Sequence, residues 1–201
     1  MPVWINLATE DALSEAVLRR LIAAFPDRLA VAECYRRNGF GYLRSRVRGF
    51  NQAARIRPWI LLTDLDQAEC PAVLLNDWLR DPKHPQLLFR VAVRQVESWL
   101  LADGPRFAEF AGIRPQAISM RPDELANAKA SLIELVSASR RTDLRRDVVP
   151  ETWSTARQGP NYNSRLVAFV QNRWRPRFAS HRSQSLARTF SRIEELAQYH
   201  A

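Results

Sequence analysis

Short apolar runs alternate with longer amphipathic stretches along the first hundred residues of the chain. Four apolar runs have the length of a β-strand, at residues 2–8, 28–35, 58–64 and 87–93. Between them, apolar residues recur with a helical period at 10–25, 43–55 and 70–79, and a further helix begins at Glu97. Strands that alternate with helices predict an α/β fold with a mostly parallel, doubly wound sheet of four strands and flanking helices.

Residues at the ends of these elements refine the prediction. Thr9 is placed to cap the first helix, which begins with acidic residues, and Pro26 helps to end that helix. Asn38-Gly-Phe-Gly41 predicts a loop or turn, and Pro71 is favourable in the first turn of a helix.

The pattern changes after about residue 104, where strand-like runs stop. Helices are predicted at 107–111, 123–138, 161–174 and 183–199, and a polar, arginine-rich connector is predicted from 140 to 160. We therefore expect an α/β core at 1–104 and a basic, C-terminal helical extension at 105–201. The two parts can either fold separately or share one hydrophobic core.

Composition narrows the class of protein. The chain is 46% hydrophobic and 25% charged, as is common for globular proteins, and it has no apolar run long enough for a membrane span. Cys34 and Cys70 form no CxxC motif, and the N-terminus lacks the pattern of a secretory signal, so we expect a cytoplasmic protein. No Walker A or GxGxxG motif points to nucleotide binding. The six tryptophans are expected to pack mainly in the core.

Positive charge is concentrated in the C-terminal part of the chain. Residues 140–192 contain 12 arginines and three acidic residues, so this stretch accounts for the whole formal charge of +9. Arginine binds phosphate in a bidentate manner and stacks on bases, which favours nucleic acid, DNA or RNA, as the partner. A general preference for arginine over lysine is the alternative interpretation. The candidate contacts to nucleic acid are Arg140, Arg141, Arg145, Arg146 and Arg165.

Carboxylates follow three of the four predicted strands. Asp64 and Asp66 come at the end of the third strand, Glu10 follows the first, and Glu97 follows the fourth. Parallel strands end at the same sheet edge, so these side chains are expected to converge there and to need one or two Mg²⁺ or Mn²⁺ ions. The alternatives are solvated acids after a strand and, for Glu10 and Glu97, acids that stabilise helix starts.

This arrangement of an acid after the first strand and a DxD after the third resembles the Toprim family, which has a Rossmann-like sheet. The stretches Leu62-Thr-Asp-Leu-Asp66, residues 89–103 and Gly159-Pro-Asn-Tyr-Asn163 are also similar to a group of uncharacterised prokaryotic Toprim-like proteins. The Toprim glutamate is usually followed by glycine, whereas Asp11 follows here, so the first-strand acid stays open among Glu10, Asp11 and Glu15.

The resemblance implies a magnesium-dependent nuclease, acting in phage defence with a partner ATPase. Glu10 would then handle a proton, Asp64 and Asp66 would bind metal, and Glu97 would complete a second metal site. The residues themselves leave two other functions open: a non-catalytic module that binds nucleic acid or an ATPase through arginines, and a structural subunit that binds an acidic protein surface.

Two further residues are candidates for contacts to nucleic acid. Lys129 is one of only two lysines and could reach a phosphate, although a solvated lysine is the commoner case. Tyr162 lies in the loop 159–163, which could approach phosphate with the tyrosine stacked on a base, or could simply begin a helix.

Overall fold

The computed structural model describes residues 1–36 and 40–199, without the side chains at positions 40 and 199. Four strands form one parallel sheet in the order β2-β1-β3-β4. They are β1 (Val3–Thr9), β2 (Leu29–Arg36), β3 (Trp59–Asp64) and β4 (Leu87–Ala92). The predicted α/β fold with a four-stranded parallel sheet, flanking helices and a helical C-terminal part is thereby confirmed.

Helices connect the strands and make up almost all of the regular structure after β4. In the strand-containing part they are α1 (Ala12–Ile22), α2 (Phe40–Ala53), α3 (Pro71–Trp78) and α4 (Glu97–Ala102). After it come α5 (Gly104–Ala111), α6 (Ala128–Ser137), α7 (Thr142–Val148), α8 (Tyr162–Asn172), α9 (Pro176–Ala179) and α10 (Gln184–Tyr199). Two single 3-10 turns lie at Pro115–Ala117 and Pro122–Glu124. Across the described residues, no helix is long and apolar enough to cross a membrane.

Several predicted boundaries were wrong for identifiable reasons. Asp11, not Thr9, caps α1, because its carboxylate accepts a hydrogen bond of 2.8 Å from the Ser14 amide. The helix predicted from 123 starts only at Ala128, where the Asn127 side chain provides the cap. The connector 140–160 contains α7, whose seven residues are too few for a clear periodic signal. The predicted loop 38–41 overlaps α2 at Phe40 and Gly41, and Asn38 and Gly39 lie outside the described residues.

Helices cover both faces of the sheet. Alternate residues of each strand point to opposite faces. Ile60 and Leu62 of β3 belong to the hydrophobic cluster formed with α1 and the C-terminal helices. Trp59 and Leu61 belong to the second cluster, with α2 and α3. The run 58–64 is therefore apolar without alternation because both of its faces are buried.

The C-terminal helices share a hydrophobic core with one face of the sheet. Ile5 and Ile60 of the sheet lie in the same cluster as Leu166 of α8 and Ile193 of α10. Trp174 also donates a hydrogen bond of 3.0 Å from Nε1 to the backbone carbonyl of Trp99, and both tryptophans are fully buried. Two tryptophans depart from the expected core packing, since Trp4 and Trp153 are exposed. The shared core brings the C-terminal helices close to the sheet edge described next.

Candidate functional site

The candidate site lies at the point in the sheet where the order of the strands reverses. β1 pairs with β2 on one side and with β3 on the other, although β3 follows β2 in sequence. In doubly wound sheets the crevice at the carboxyl ends of such strands is the usual place for a ligand. Glu10 directly follows β1, and Asp64 is the last residue of β3, so both lie at this crevice.

Glu10 is the first-strand acid that contacts β3. Its Oε1 accepts a short hydrogen bond from Oγ1 of Thr63. Burial raises the pKa of Glu10, and the nearby charges of Asp66 and Asp11 raise it further. Asp11 has one oxygen engaged in capping α1, and Glu15 forms ion pairs of 2.8 Å with Arg19 and 3.5 Å with Arg36.

Asp64 has the most strongly perturbed carboxyl group of the four candidate acids. Oδ1 accepts a hydrogen bond of 2.8 Å from the backbone amide of Val96. Burial raises the pKa of Asp64 well above its ordinary value, and the charges of Glu97 and then Glu10 add to the effect. Mutual repulsion of this kind requires that the carboxylates lie close together.

Asp66 sits in a strained turn that leads away from the end of β3. Its φ of 46° lies in the left-handed region, which aspartate tolerates better than most residues. The turn is held from the neighbouring segment, because the Asp66 amide donates to the Arg94 carbonyl at 3.0 Å and Arg94 Nη1 donates to the Asp66 carbonyl at 3.2 Å. Backbone strain of this type is common at binding sites, where surrounding contacts maintain it.

Glu97 is buried at the start of α4, with 5% of its surface exposed. Burial raises its pKa, and a hydrogen bond of 2.8 Å from the Tyr162 hydroxyl and the positive charge of Lys129 oppose that rise. The lysine nitrogen lies 4.8 Å from the centre of the Tyr162 ring. The fold thus brings Lys129 and Tyr162, two isolated candidates in the sequence, to one of the candidate acids.

The loop 159–163 positions Tyr162 by packing against the end of α7. The Gly159 amide donates to the Val148 carbonyl at 2.8 Å, and Asn161 Nδ2 donates to Oδ1 of Asp147 at 3.1 Å. A Cβ atom on Gly159 would lie 2.6 Å from the Asp147 carbonyl oxygen, so only glycine fits this close approach. In this structure the loop begins α8 and is anchored to α7.

None of the four candidate carboxylates forms an ion pair with a described lysine or arginine. The ion pairs of the described residues involve other acids, such as Glu15, Asp103 and Asp147. Within residues 1–36 and 40–199, no group of three or more His, Cys, Asp or Glu side chains is already arranged to hold a metal ion. The donor chemistry still suits Mg²⁺, which binds through one or two carboxylates and keeps several water molecules.

The five candidate arginines differ in how many bonds they form within the protein. Arg165 bridges Asp147 at 2.6 Å and Asp143 at 3.2 Å, and Arg141 donates to the Phe110 carbonyl at 2.9 Å. Arg145 donates to the Ser139 carbonyl, Arg146 lies 3.8 Å from Asp147, and Arg140 is exposed. The structure gives Arg141, Arg145 and Arg165 bonds within the protein.

Thr63 and the backbone amide of Val96 are parts of the site that sequence reasoning missed. Thr63 could have been found from the sequence, because it is a polar residue in an otherwise apolar strand and directly precedes the DxD motif. The role of the Val96 amide could not be found from the sequence, because it depends on how the segment after β4 folds beside β3.

The fold and this edge define an α/β protein with a carboxylate cluster at the switch point of its sheet. Comparisons with protein-family models, with curated proteins and with solved structures found no match. Any more specific assignment rests on the chemistry of the site itself.

Proposed function

We propose that the protein is a metal-dependent nuclease of the Toprim kind that cleaves phosphodiester bonds. One observation carries the proposal: four carboxylates lie unpaired at one sheet edge in a chain with a formal charge of +9. Many other aspartates and glutamates pair with arginines, whereas none of these four has an ion-pair partner among the described residues. The charges of Glu97, Glu10 and Asp66 also raise the pKa of Asp64. Such a cluster is costly unless a cation neutralises it.

In this proposal Asp64, Asp66 and Glu97 hold one or two Mg²⁺ or Mn²⁺ ions. The bound metal would activate water and neutralise charge on the phosphate. Glu10 has one oxygen held by Thr63 and a raised pKa, so its Oε2 is suited to hold and release a proton during cleavage. Lys129, stacked on Tyr162 beside Glu97, supplies positive charge for a phosphate oxygen. Action in phage defence with a partner ATPase stays a prediction from the resemblance.

The test is metal-dependent cleavage of plasmid DNA and of tRNA by the purified protein. Asp64→Asn and Glu97→Gln are expected to lose at least about 100-fold in rate, since removal of a metal ligand or its orienting partner costs 10–100-fold or more. Asp27→Asn, at an exposed aspartate that pairs with no described lysine or arginine, is the matched control and is expected to cleave as the wild type does. Full activity in the double variant Asp64→Ala/Asp66→Ala, with a native circular dichroism spectrum, overturns the proposal.

A binding module without catalysis is the second candidate. It is favoured by the lack of a ready three-ligand group among the described residues. In that case the protein binds nucleic acid with a steep dependence on salt and cleaves nothing under Mg²⁺, Mn²⁺ or other divalent ions.

A further inference from the structure

A groove runs along the free edge of the sheet, between β4 and α10. β4 is the outermost strand, and two hydrogen bonds join it and its end to α10: Arg90 Nε donates to Oγ1 of Thr189 at 3.3 Å, and the Val93 amide donates to Oγ of Ser185 at 3.4 Å. The gap that remains beside these contacts is what we call the edge groove.

The edge groove consists of three clefts that share residues. The first has a volume of about 570 Å³ and is lined by Arg90 and Arg188, together with Val93 at the end of β4. The second, of about 440 Å³, shares Arg90 and Arg188 and adds Arg192. The third, of about 390 Å³, shares Arg192 and continues to His84, before the start of β4. The groove therefore follows the whole length of the strand, about 20 Å.

Positive charge in the edge groove is poorly compensated. Arg188 and Arg192 lie one turn apart on the same face of α10, and Arg90 faces them from β4. Among the described residues, Arg90 and Arg188 have no carboxylate partner, whereas Arg192 pairs with Glu195. Burial lowers the pKa of Arg90, and the charges of Arg192 and Arg188 lower it further, as expected for a partly buried guanidinium that lacks an anion.

The acids at the wide end of the groove are already engaged within the protein. Glu124 pairs with Arg121 at 3.2 Å. Asp123 accepts hydrogen bonds from Oγ of Ser183 at 2.7 Å and from the Ser185 amide at 2.9 Å, which fixes the start of α10. These carboxylates therefore do little to neutralise Arg90 and Arg188.

The wide end of the groove also adjoins α4, the helix that begins at Glu97. Oγ of Ser98 donates to Oδ1 of Asp123, a groove residue, at 3.3 Å, and Ser98 is the neighbour of Glu97 in α4. An extended ligand in the groove thus ends near α4, the helix that begins at Glu97.

We propose that the edge groove binds the phosphate backbone of a nucleic-acid strand and leads that strand to the carboxylate cluster. This inference rests on the proposed nuclease function and names the substrate-binding surface of that same site. Three clefts in line, with arginines from both walls, suit several consecutive phosphates better than a single nucleotide. In this proposal the edge groove contacts the nucleic acid, whereas the sequence alone indicated arginines between 140 and 165 for that contact.

The experiment measures binding of fluorescently labelled 20-nucleotide DNA and RNA strands by anisotropy, in EDTA so that no cleavage occurs. Arg90→Gln/Arg188→Gln and Arg188→Gln/Arg192→Gln, of which the second pair lies at exposed positions, are each expected to weaken binding at least 10-fold. The slope of log affinity against log salt should fall by about 0.7 for each lost phosphate contact. The second pair keeps the test valid if Arg90→Gln unfolds the protein.

Two control variants complete the design. Arg57→Gln, at an exposed arginine that has no carboxylate partner in the described part of the chain, and Arg140→Gln/Arg146→Gln are expected to bind as the wild type does. The inference is overturned if Arg188→Gln/Arg192→Gln binds normally, if Arg140→Gln/Arg146→Gln loses as much affinity, or if ATP alone displaces the strand at micromolar concentration. Strand binding through the groove without any metal-dependent cleavage would reject the nuclease function and leave the groove assignment intact.

Discussion

The Tyr162 hydroxyl donates a hydrogen bond of 2.8 Å to Oε1 of Glu97, and both side chains are buried. The two residues belong to different parts of the chain, since Glu97 begins the helix after β4 and Tyr162 begins α8. The bond orients one oxygen of the glutamate. A C-terminal helix thereby helps to shape a site at the edge of an N-terminal sheet.

Tyr162→Phe should weaken metal binding without unfolding the protein. The lost hydrogen bond favours the ionised form of Glu97, so its removal raises the pKa of Glu97 further and increases competition from protons. We expect Mn²⁺ affinity at pH 7 to fall by roughly 10-fold, as for other residues that orient a ligand. Calorimetric titration with Mn²⁺ checks this.

Tyr35→Phe is the control for this change, because Tyr35 is exposed on β2 and has no hydrogen bond from its hydroxyl among the described residues. The weakened affinity of Tyr162→Phe should recover as the pH is raised, since proton competition then disappears. An affinity that is reduced equally at all pH values would mean that the hydroxyl acts on the metal site by some route other than the pKa of Glu97.

Asp64→Asn should stabilise the metal-free protein at neutral pH. The folded-state pKa of Asp64 is raised above its ordinary value of 3.8, so the folded protein holds more protons than the unfolded chain above that pH. Stability is therefore lost as the pH rises from about 4 through the raised value. The variant avoids this loss and keeps an oxygen for the Val96 amide.

Thermal unfolding with and without Mn²⁺ at pH 5 and pH 8 measures the effect. We expect the midpoint of metal-free Asp64→Asn at pH 8 to rise by about 2–4 °C, which corresponds to about 1 kcal/mol in a chain of this size. Mn²⁺ should stabilise the wild type more at pH 8 than at pH 5 and should leave the variant unchanged. A variant that is less stable than the wild type at pH 8 would show that Asp64 is a structural acid.

The parts of the site that could be predicted follow from local rules. The run ending in Asp64 and the position of Glu10 after β1 are readable because an apolar strand and its end are local features, and parallel strands end at a common edge. The contact of Tyr162 with Glu97 is different, because nothing near either residue in sequence specifies that the start of α8 lies beside the start of α4.

The roles of the arginines illustrate the same limit. Arg165 was a candidate for binding nucleic acid because it lies in a basic stretch, yet α7 and α8 pack so that it bridges Asp143 and Asp147. Arg90 and Arg188 stand apart in the sequence and became candidates only when β4 and α10 proved to be neighbours. Charge density along a chain does not specify which arginines form ion pairs within the fold and which have no carboxylate partner.

Gly159→Ala should destabilise the protein and misplace Tyr162. The added Cβ would lie 2.6 Å from the Asp147 carbonyl oxygen and from the Val148 carbonyl carbon, both of which are backbone atoms that cannot rotate away. We expect a loss of about 1–3 kcal/mol in the free energy of unfolding, typical of forced overpacking. Urea denaturation measures this change.

Gly49→Ala is the same substitution at another glycine, and we expect it to have the opposite effect on stability. Gly49 is exposed within α2, and a Cβ there meets nothing within 4 Å, so alanine should stabilise the helix by about 0.5–1 kcal/mol. If Gly159→Ala were also neutral or stabilising, the loop would have enough freedom to move, and its close approach to α7 would not be what positions Tyr162.

A fragment of residues 1–104 should fail to fold on its own. One face of its sheet is covered by α1 and by helices from outside the fragment, and these outside helices share a hydrophobic cluster with Ile5, Ile60 and α1. The fragment would also lose the bond from Trp174 to Trp99 and the ion pair of 2.6 Å between Arg175 and the fully buried Asp103. The apolar surface that the missing helices cover would be exposed, and the remaining contacts cannot offset that loss.

Far- and near-ultraviolet circular dichroism of the fragment, with urea denaturation of the full chain, tests this expectation. The fragment should lack a near-ultraviolet signal and aggregate, whereas the full chain should unfold in one transition that both spectral regions report at the same urea concentration. A fragment that unfolds cooperatively would instead identify 1–104 as an independent domain. The site would then need the C-terminal helices only for Lys129 and Tyr162, and the fragment should still bind Mn²⁺ through Asp64, Asp66 and Glu97.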